Sequence, residues 1–79
     1  MSMNSTQERV KSVISMVLKI EKSEISDNAN FVFDLGADSL QSLELVAAFE
    51  EEFEIEMDED KALEVQSVSD AVTYIDSYL

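Results

Sequence analysis

Ser39 draws attention for what surrounds it. It sits in Asp34-Leu35-Gly36-Ala37-Asp38-Ser39-Leu40, a stretch that holds the chain's only glycine and where a loop turns into a helix. A catalytic serine needs a base to take its proton. The chain has no histidine and no cysteine, and Asp38 alone does not make a triad. These absences exclude imidazole and thiol catalysis, zinc sites of the usual kind, and disulfides. Any chemistry at Ser39 is then that of an acceptor modified by another protein. A phosphate ester there would lie near a helix N-terminus, where free backbone N–H groups and the helix dipole favour negative charge. The plainer role is capping, the commonest use of serine at a helix start.

The elements that must position this serine are helical. Ser5-Thr6-Gln7-Glu8 reads as a capping box with Ser5 at the N-cap. Val10, Val13, Ile14, Val17 and Leu18 then make one apolar face, with Met16 off it, and the helix should fade near Lys19 to Lys22. A long polar connection follows, anchored by Ile25. In it Asp27-Asn28-Ala29-Asn30 favours side chain to backbone hydrogen bonds over helix. Phe31, Val32, Phe33 and Leu35 are expected to pin this loop to the core, and Gly36 to supply the bend into the next helix. That helix should start at Asp38 or Ser39 and reach Phe53 or Glu54. A short third element is expected over Glu59 to Glu64, and a last helix from Ser67 to Leu79, with Ser67 and Asp70 as an acidic capping pair. Its stripe is Val68, Ala71, Val72, Ile75 and Leu79, with Tyr74 and Tyr78 at the edges. The pattern predicts an all-α fold: a four-helix bundle with a long loop between helices 1 and 2 and a short third helix. Residues 1–79 form one small domain.

The second helix has two faces. With Leu40 set at zero, Leu45, Val46, Phe49 and Phe53 fall between roughly 140° and 240°, a core stripe. Leu43 and Ala47 lie beside Leu40 on the opposite side, interleaved with Glu44, Glu50, Glu51 and Glu54. Four carboxylates are hard to bury, so this side should be exposed. Apolar residues bordered by like charge suggest a docking surface, although scattered surface leucines are common.

Charge points the same way. The chain carries 18 acidic residues against 5 basic ones, net −13, and four of the five bases (Arg9, Lys11, Lys19, Lys22) lie in the first 22 positions. Such a surface repels nucleic acid and anionic lipid and attracts basic protein patches or cations. No apolar run approaches the ~20 residues of a membrane span, and no signal-peptide pattern precedes the first helix. A monomeric cytoplasmic protein without membrane insertion is the expectation. There is no candidate base, nucleophile pair or firm metal site, so an enzyme is not expected.

Phe31-Val32, then Asp34 to Leu40, then Glu44-Leu45-Val46, then Glu50-Glu51-Glu52-Phe53 together resemble an acyl carrier protein of the fatty-acid-synthesis type. The resemblance runs without gaps from about Ser5 to Tyr78. It implies that Ser39, flanked by Asp38 and Leu40, receives 4′-phosphopantetheine from coenzyme A through a separate phosphopantetheinyl transferase. It also implies that acyl groups are carried as thioesters on that arm. By matching position, Phe31, Leu45, Val46, Phe49, Ala62, Leu63 and Val72 would line an acyl pocket. Asp38, Leu40, Leu43, Glu44, Ala47, Glu50 and Glu51 would meet basic docking patches on acyl-transferring and chain-elongating enzymes.

The resemblance further implies a loose divalent-cation site at Glu50, Glu54, Glu56 and Glu59. This sequence departs from the family pattern elsewhere. Phe33 stands where an acid is common and Gln41 where an aspartate is frequent, which leaves only Asp38 of a cation site beside the serine. Asp58 replaces a frequent proline and Ala47 a common methionine. A specialised carrier for a polyketide, aminoacyl or modified-lipid pathway is the near alternative. A non-carrier acidic helical adaptor is the distant one. The acidic run from Glu50 to Asp60 should destabilise the fold through self-repulsion. We therefore expect the melting temperature to rise with sodium chloride or millimolar magnesium in a thermal unfolding series; a flat response would refute this.

Overall fold

The apolar spacing of the first segment is realised as α1, Ser5–Leu18, in a computed structural model. It describes residues 5–62 and 64–79, apart from the side chains of Ser5 and Glu59. The expected Ser5 cap and the Leu63 pocket position therefore lie outside the described side chains. Val10, Val13 and Ile14 are buried, Val17 and Leu18 pack partly against them, and Met16 faces solvent. The helix ends without glycine. Lys19 takes a left-handed conformation at φ 60°, and the Ile20 N–H reaches back to the Ser15 carbonyl at 3.3 Å. The Ser15 hydroxyl donates to the Ile20 carbonyl at 2.6 Å, a Schellman-like closure.

The connection from α1 to the next helix is long but ordered by hydrogen bonds. A 3₁₀ turn at Lys22–Glu24 interrupts it, and Ile25, Ala29 and Phe31 are driven into the core. Asn30 is its hub. The Asn30 side-chain oxygen accepts from the N–H groups of Val32 and Phe33, each at 2.9 Å. The Asn30 carbonyl accepts from Asp34 and Leu35, and its own N–H donates to an Asp34 carboxylate oxygen at 2.7 Å. Gly36 and Ala37 then donate back to Val32 and Phe31. Every backbone N–H from 32 to 37 thus has an acceptor. The turn is paired locally, so it does not need all its apolar residues inside. Phe31 and Ala37 are buried and Leu35 is partly so, but Val32 and Phe33 point out, contrary to the expectation that both pin the loop. Gly36, at φ 75°, supplies the bend.

The second helix, α2, spans Ser39–Phe53 and buries Leu45, Phe49 and Phe53. It too ends on a left-handed non-glycine residue, Glu54 at φ 56°. One turn of helix, α3, follows at Glu59–Ala62, and α4 runs Val68–Asp76. Ser67 caps α4 by accepting from the Asp70 N–H at 3.2 Å. The last helix is shorter than expected: its turn closes at Ser77, leaving Leu79 in solvent instead of on the stripe. The α1 helix packs against both α2 and α4. Ile14 and Val10 of α1 and Ile75 and Val68 of α4 are the largest fully buried side chains among the described residues.

Two polar ties hold the irregular parts. Phe31 N–H donates to the Gln66 carbonyl and Val68 N–H to the Ala29 carbonyl, both at 2.9 Å, so the long loop is stitched across the start of α4. Beside α3, the Asp58 N–H donates to the Tyr78 hydroxyl at 3.1 Å and the Tyr74 hydroxyl donates to the Asp58 carbonyl at 3.3 Å. Partial burial and then the Tyr78 hydroxyl push the Tyr74 group up to about 12, so it keeps the proton it donates.

A Cβ built on Gly36 meets no atom within 4 Å, so substitution there costs backbone strain alone. Gly36→Ala is expected to destabilise by about 1 kcal/mol, read as a lower urea midpoint with an unchanged slope.

Candidate functional site

Asp38, not Ser39, caps α2. An Asp38 carboxylate oxygen accepts from the Gln41 N–H at 2.8 Å, and the Gln41 side-chain oxygen accepts from the Asp38 N–H at 3.1 Å. This reciprocal pair is a complete capping box. Two consequences follow for Ser39, now the first residue inside the helix. Its hydroxyl is free of the capping duty that is the ordinary explanation for a serine here. It is also exposed, and has no hydrogen-bond partner among the described residues. One Asp38 carboxylate oxygen is committed to the helix backbone. The first N–H groups of the helix, those of Ser39 and Leu40, also lack acceptors among the described residues, which favours negative charge beside the hydroxyl.

One side of α2 past Ser39 is open to solvent. Leu40, Leu43, Glu44, Ala47 and Glu51 are all exposed there, as is Asp38 at its head. Glu50 departs from this set. It is half-buried, and its carboxylate accepts from the Met57 N–H at 2.8 Å, so it braces the loop after α2. Much of the acidity is uncompensated because the bases are engaged elsewhere. Arg9 lies over the Phe53 ring at 4.4 Å and pairs with Glu52 at 2.8 Å. Lys11 pairs with Asp27 at 2.6 Å and Lys22 with Glu8 at 2.7 Å. Hydrogen bonds from these two lysines, then their charge, hold the Glu8 and Asp27 carboxyls below the usual range.

A mostly apolar cavity of about 320 Å³ opens beside Ser39, and the serine itself forms part of its lining. That is room for on the order of ten water-sized groups. Phe31, Leu45, Val46, Phe49 and Ala62, the described positions expected there, line it together. Val72 does not. It lies one position round α4 and packs on the core, while the smaller Ala71 faces the cavity. The lining also takes in Val65, an expected inward contact beside α3, and Val32, Leu43 and Met57, which sequence reasoning did not assign to it. Met57 carried a signal: it is an apolar residue between Glu56 and Asp58, and such a residue needs somewhere to go.

The three described members of the expected cation set, Glu50, Glu54 and Glu56, do not form a metal-holding group. Among the described residues no three carboxylates come close enough to hold a metal ion. Glu50 is turned to the Met57 N–H, Glu54 occupies the left-handed cap, and Glu56 is exposed on the following loop. The Glu59 side chain lies outside the described ones.

An unencumbered hydroxyl at a helix head, on the rim of an apolar cavity and above an acidic helix face, suits the attachment of a flexible phosphate-linked arm. Comparison with known proteins agrees at the level of class. Residues 8–75 match the family described as the phosphopantetheine attachment site. The chain is 49% identical over 76 residues to the acyl carrier protein of Akkermansia muciniphila, covering 96% of this chain and 95% of that one. It is 46% identical over 76 residues to the acyl carrier protein of Zymomonas mobilis, covering 96% and 97%. The chain belongs to the acyl carrier protein family.

The cap assignment separates two neighbouring residues. Asp38→Ala is expected to cost about 1 kcal/mol of stability, while Ser39→Ala leaves the unfolding midpoint unchanged. Equal losses in parallel urea titrations would mean that Ser39 shares the capping role.

Proposed function

We propose that residues 1–79 act as a single carrier domain, transporting acyl groups as thioesters on a 4′-phosphopantetheine arm joined to Ser39. The recipients are enzymes of fatty-acid or related lipid synthesis. The observation that carries this reading is the Ser39 hydroxyl: exposed, released from capping by Asp38, and set on the lip of the apolar cavity.

The residues fit the group. Ser39 Oγ forms a bond to phosphorus while the pyrophosphate bond of coenzyme A breaks, releasing adenosine bisphosphate, and the serine proton passes to a base. The chain offers no such base, so that group belongs to a phosphopantetheinyl transferase. The unpaired N–H groups of Ser39 and Leu40 favour the phosphodiester charge. When bound, the arm supplies the thiol that a cysteine-free chain lacks. Phe31, Leu45, Val46, Phe49 and Ala62 offer an acyl chain shelter from water.

The exposed side of α2 suits recognition by transient enzyme partners. Asp38, Glu44 and Glu51 would steer basic patches into register, and Leu40, Leu43 and Ala47 add a small apolar contact. Small contact area favours rapid release, which a carrier serving successive enzymes requires. Among the described residues no helix is long and apolar enough to cross a membrane.

Incubation with coenzyme A and a broad-specificity phosphopantetheinyl transferase should add the mass of one phosphopantetheine to the wild type and none to Ser39→Ala. No gain by the wild type, under conditions that load a control carrier, would sink the proposal.

A further inference from the structure

Seven large apolar side chains are exposed among the described residues, and four of them (Val32, Phe33, Leu40 and Leu43) bracket Ser39 in sequence. Val32 and Leu43 both line the cavity while remaining exposed. Phe33 is the extreme case at 88% exposed. A phenyl ring left in water forgoes the stabilisation that burial would bring, and it adds nothing to the core described above. Nor is it carried on a loose loop. Its own N–H and that of Val32 are both held by the Asn30 side chain at 2.9 Å, and the turn on either side is fully hydrogen-bonded and anchored by buried Phe31 and Ala37. An exposed aromatic on a preorganised turn loses little conformational freedom on binding.

We infer that Phe33 is a docking anchor that inserts into an apolar cleft, rimmed by lysine and arginine, on a subset of the enzymes this carrier serves. Charge selects that occupant. No basic residue lies between Lys22 and Lys61, while Asp38, Glu44 and Glu51 are exposed. A second copy of this chain or an anionic lipid surface would meet like charge at close range. A basic-rimmed protein would meet opposite charge around the ring, the usual setting for an aromatic hot spot. The anchor rests on the carrier reading and adds selectivity to it. Acids alone would greet any basic patch, whereas the ring favours partners with a cleft to receive it and is out of place against a flat charged one.

The test uses holo-protein, with loading confirmed by mass for the wild type, Phe33→Ser, Phe33→Leu and Glu44→Gln. Each is assayed as substrate of the purified condensing enzyme and of the purified acyltransferase from the same host. Phe33→Ser should raise KM about tenfold for at least one of them, with little change in kcat. Phe33→Leu should recover most of the loss. The Phe33→Ser penalty should persist in high salt, while the Glu44→Gln penalty fades. Unchanged KM with both enzymes would overturn the inference. So would wild-type self-association in sedimentation, or flotation with phosphatidylcholine vesicles, that Phe33→Ser abolishes. Failure of the carrier reading looks different: the wild type itself would gain no phosphopantetheine mass.

Discussion

Two backbone hydrogen bonds, Phe31 to Gln66 and Val68 to Ala29, are the constraint on which the rest depends. They close a long loop against the start of the last helix. Without them the segment from Ile25 to Ala37 would keep its internal hydrogen bonds, its buried side chains and the Lys11–Asp27 pair, but it would lose its backbone tie to the start of α4, and loop closure of that length is entropically costly. With them, Phe31 is delivered to the cavity wall, Gly36 turns the chain, and Asp38 arrives where the second helix begins. The site is thus built by a stitch remote from Ser39, between stretches more than thirty residues apart in sequence.

The helices were legible because their signal is local. Val10, Val13 and Ile14 repeat at helical spacing and are buried, and the two-sided character of α2 followed from rotation alone. Ser67 and Asp70 announced a cap, and Gly36 a bend, for similar reasons. What was not legible depended on which of several adequate groups wins a partner. Both Asp38 and Ser39 are good caps; the aspartate took the role because Gln41 completes the reciprocal pair. Val32 and Phe33 were assigned inward by hydrophobicity, but a turn whose amides are all paired through Asn30 need not bury them. Val72 and Ala71 are neighbours on one stripe, and which of them faces the cavity depends on how α4 is rotated in the packed fold. Glu50 had the charge for the outer face, yet an unpaired Met57 amide nearby claimed it.

The electrostatic layout follows from pairing rather than composition alone. Arg9, Lys11 and Lys22 are occupied by Glu52, Asp27 and Glu8. The first helix and the loop after it approach local neutrality, and the surplus negative charge falls on α2 and the segment beyond. The net charge of −13 is thereby concentrated on the part of the chain that follows Ser39. Surface ion pairs add little to stability; here they shape where the potential is felt.

The capping box at the head of α2 has a further consequence. Because Asp38 and Gln41 terminate the helix, the hydroxyl beside them can be esterified or released without rewriting the fold's thermodynamics. Loaded and unloaded forms of the proposed carrier would share one native scaffold. A serine that held the helix together could be modified only at the expense of that helix. The aspartate makes the proposed attachment point expendable to the fold.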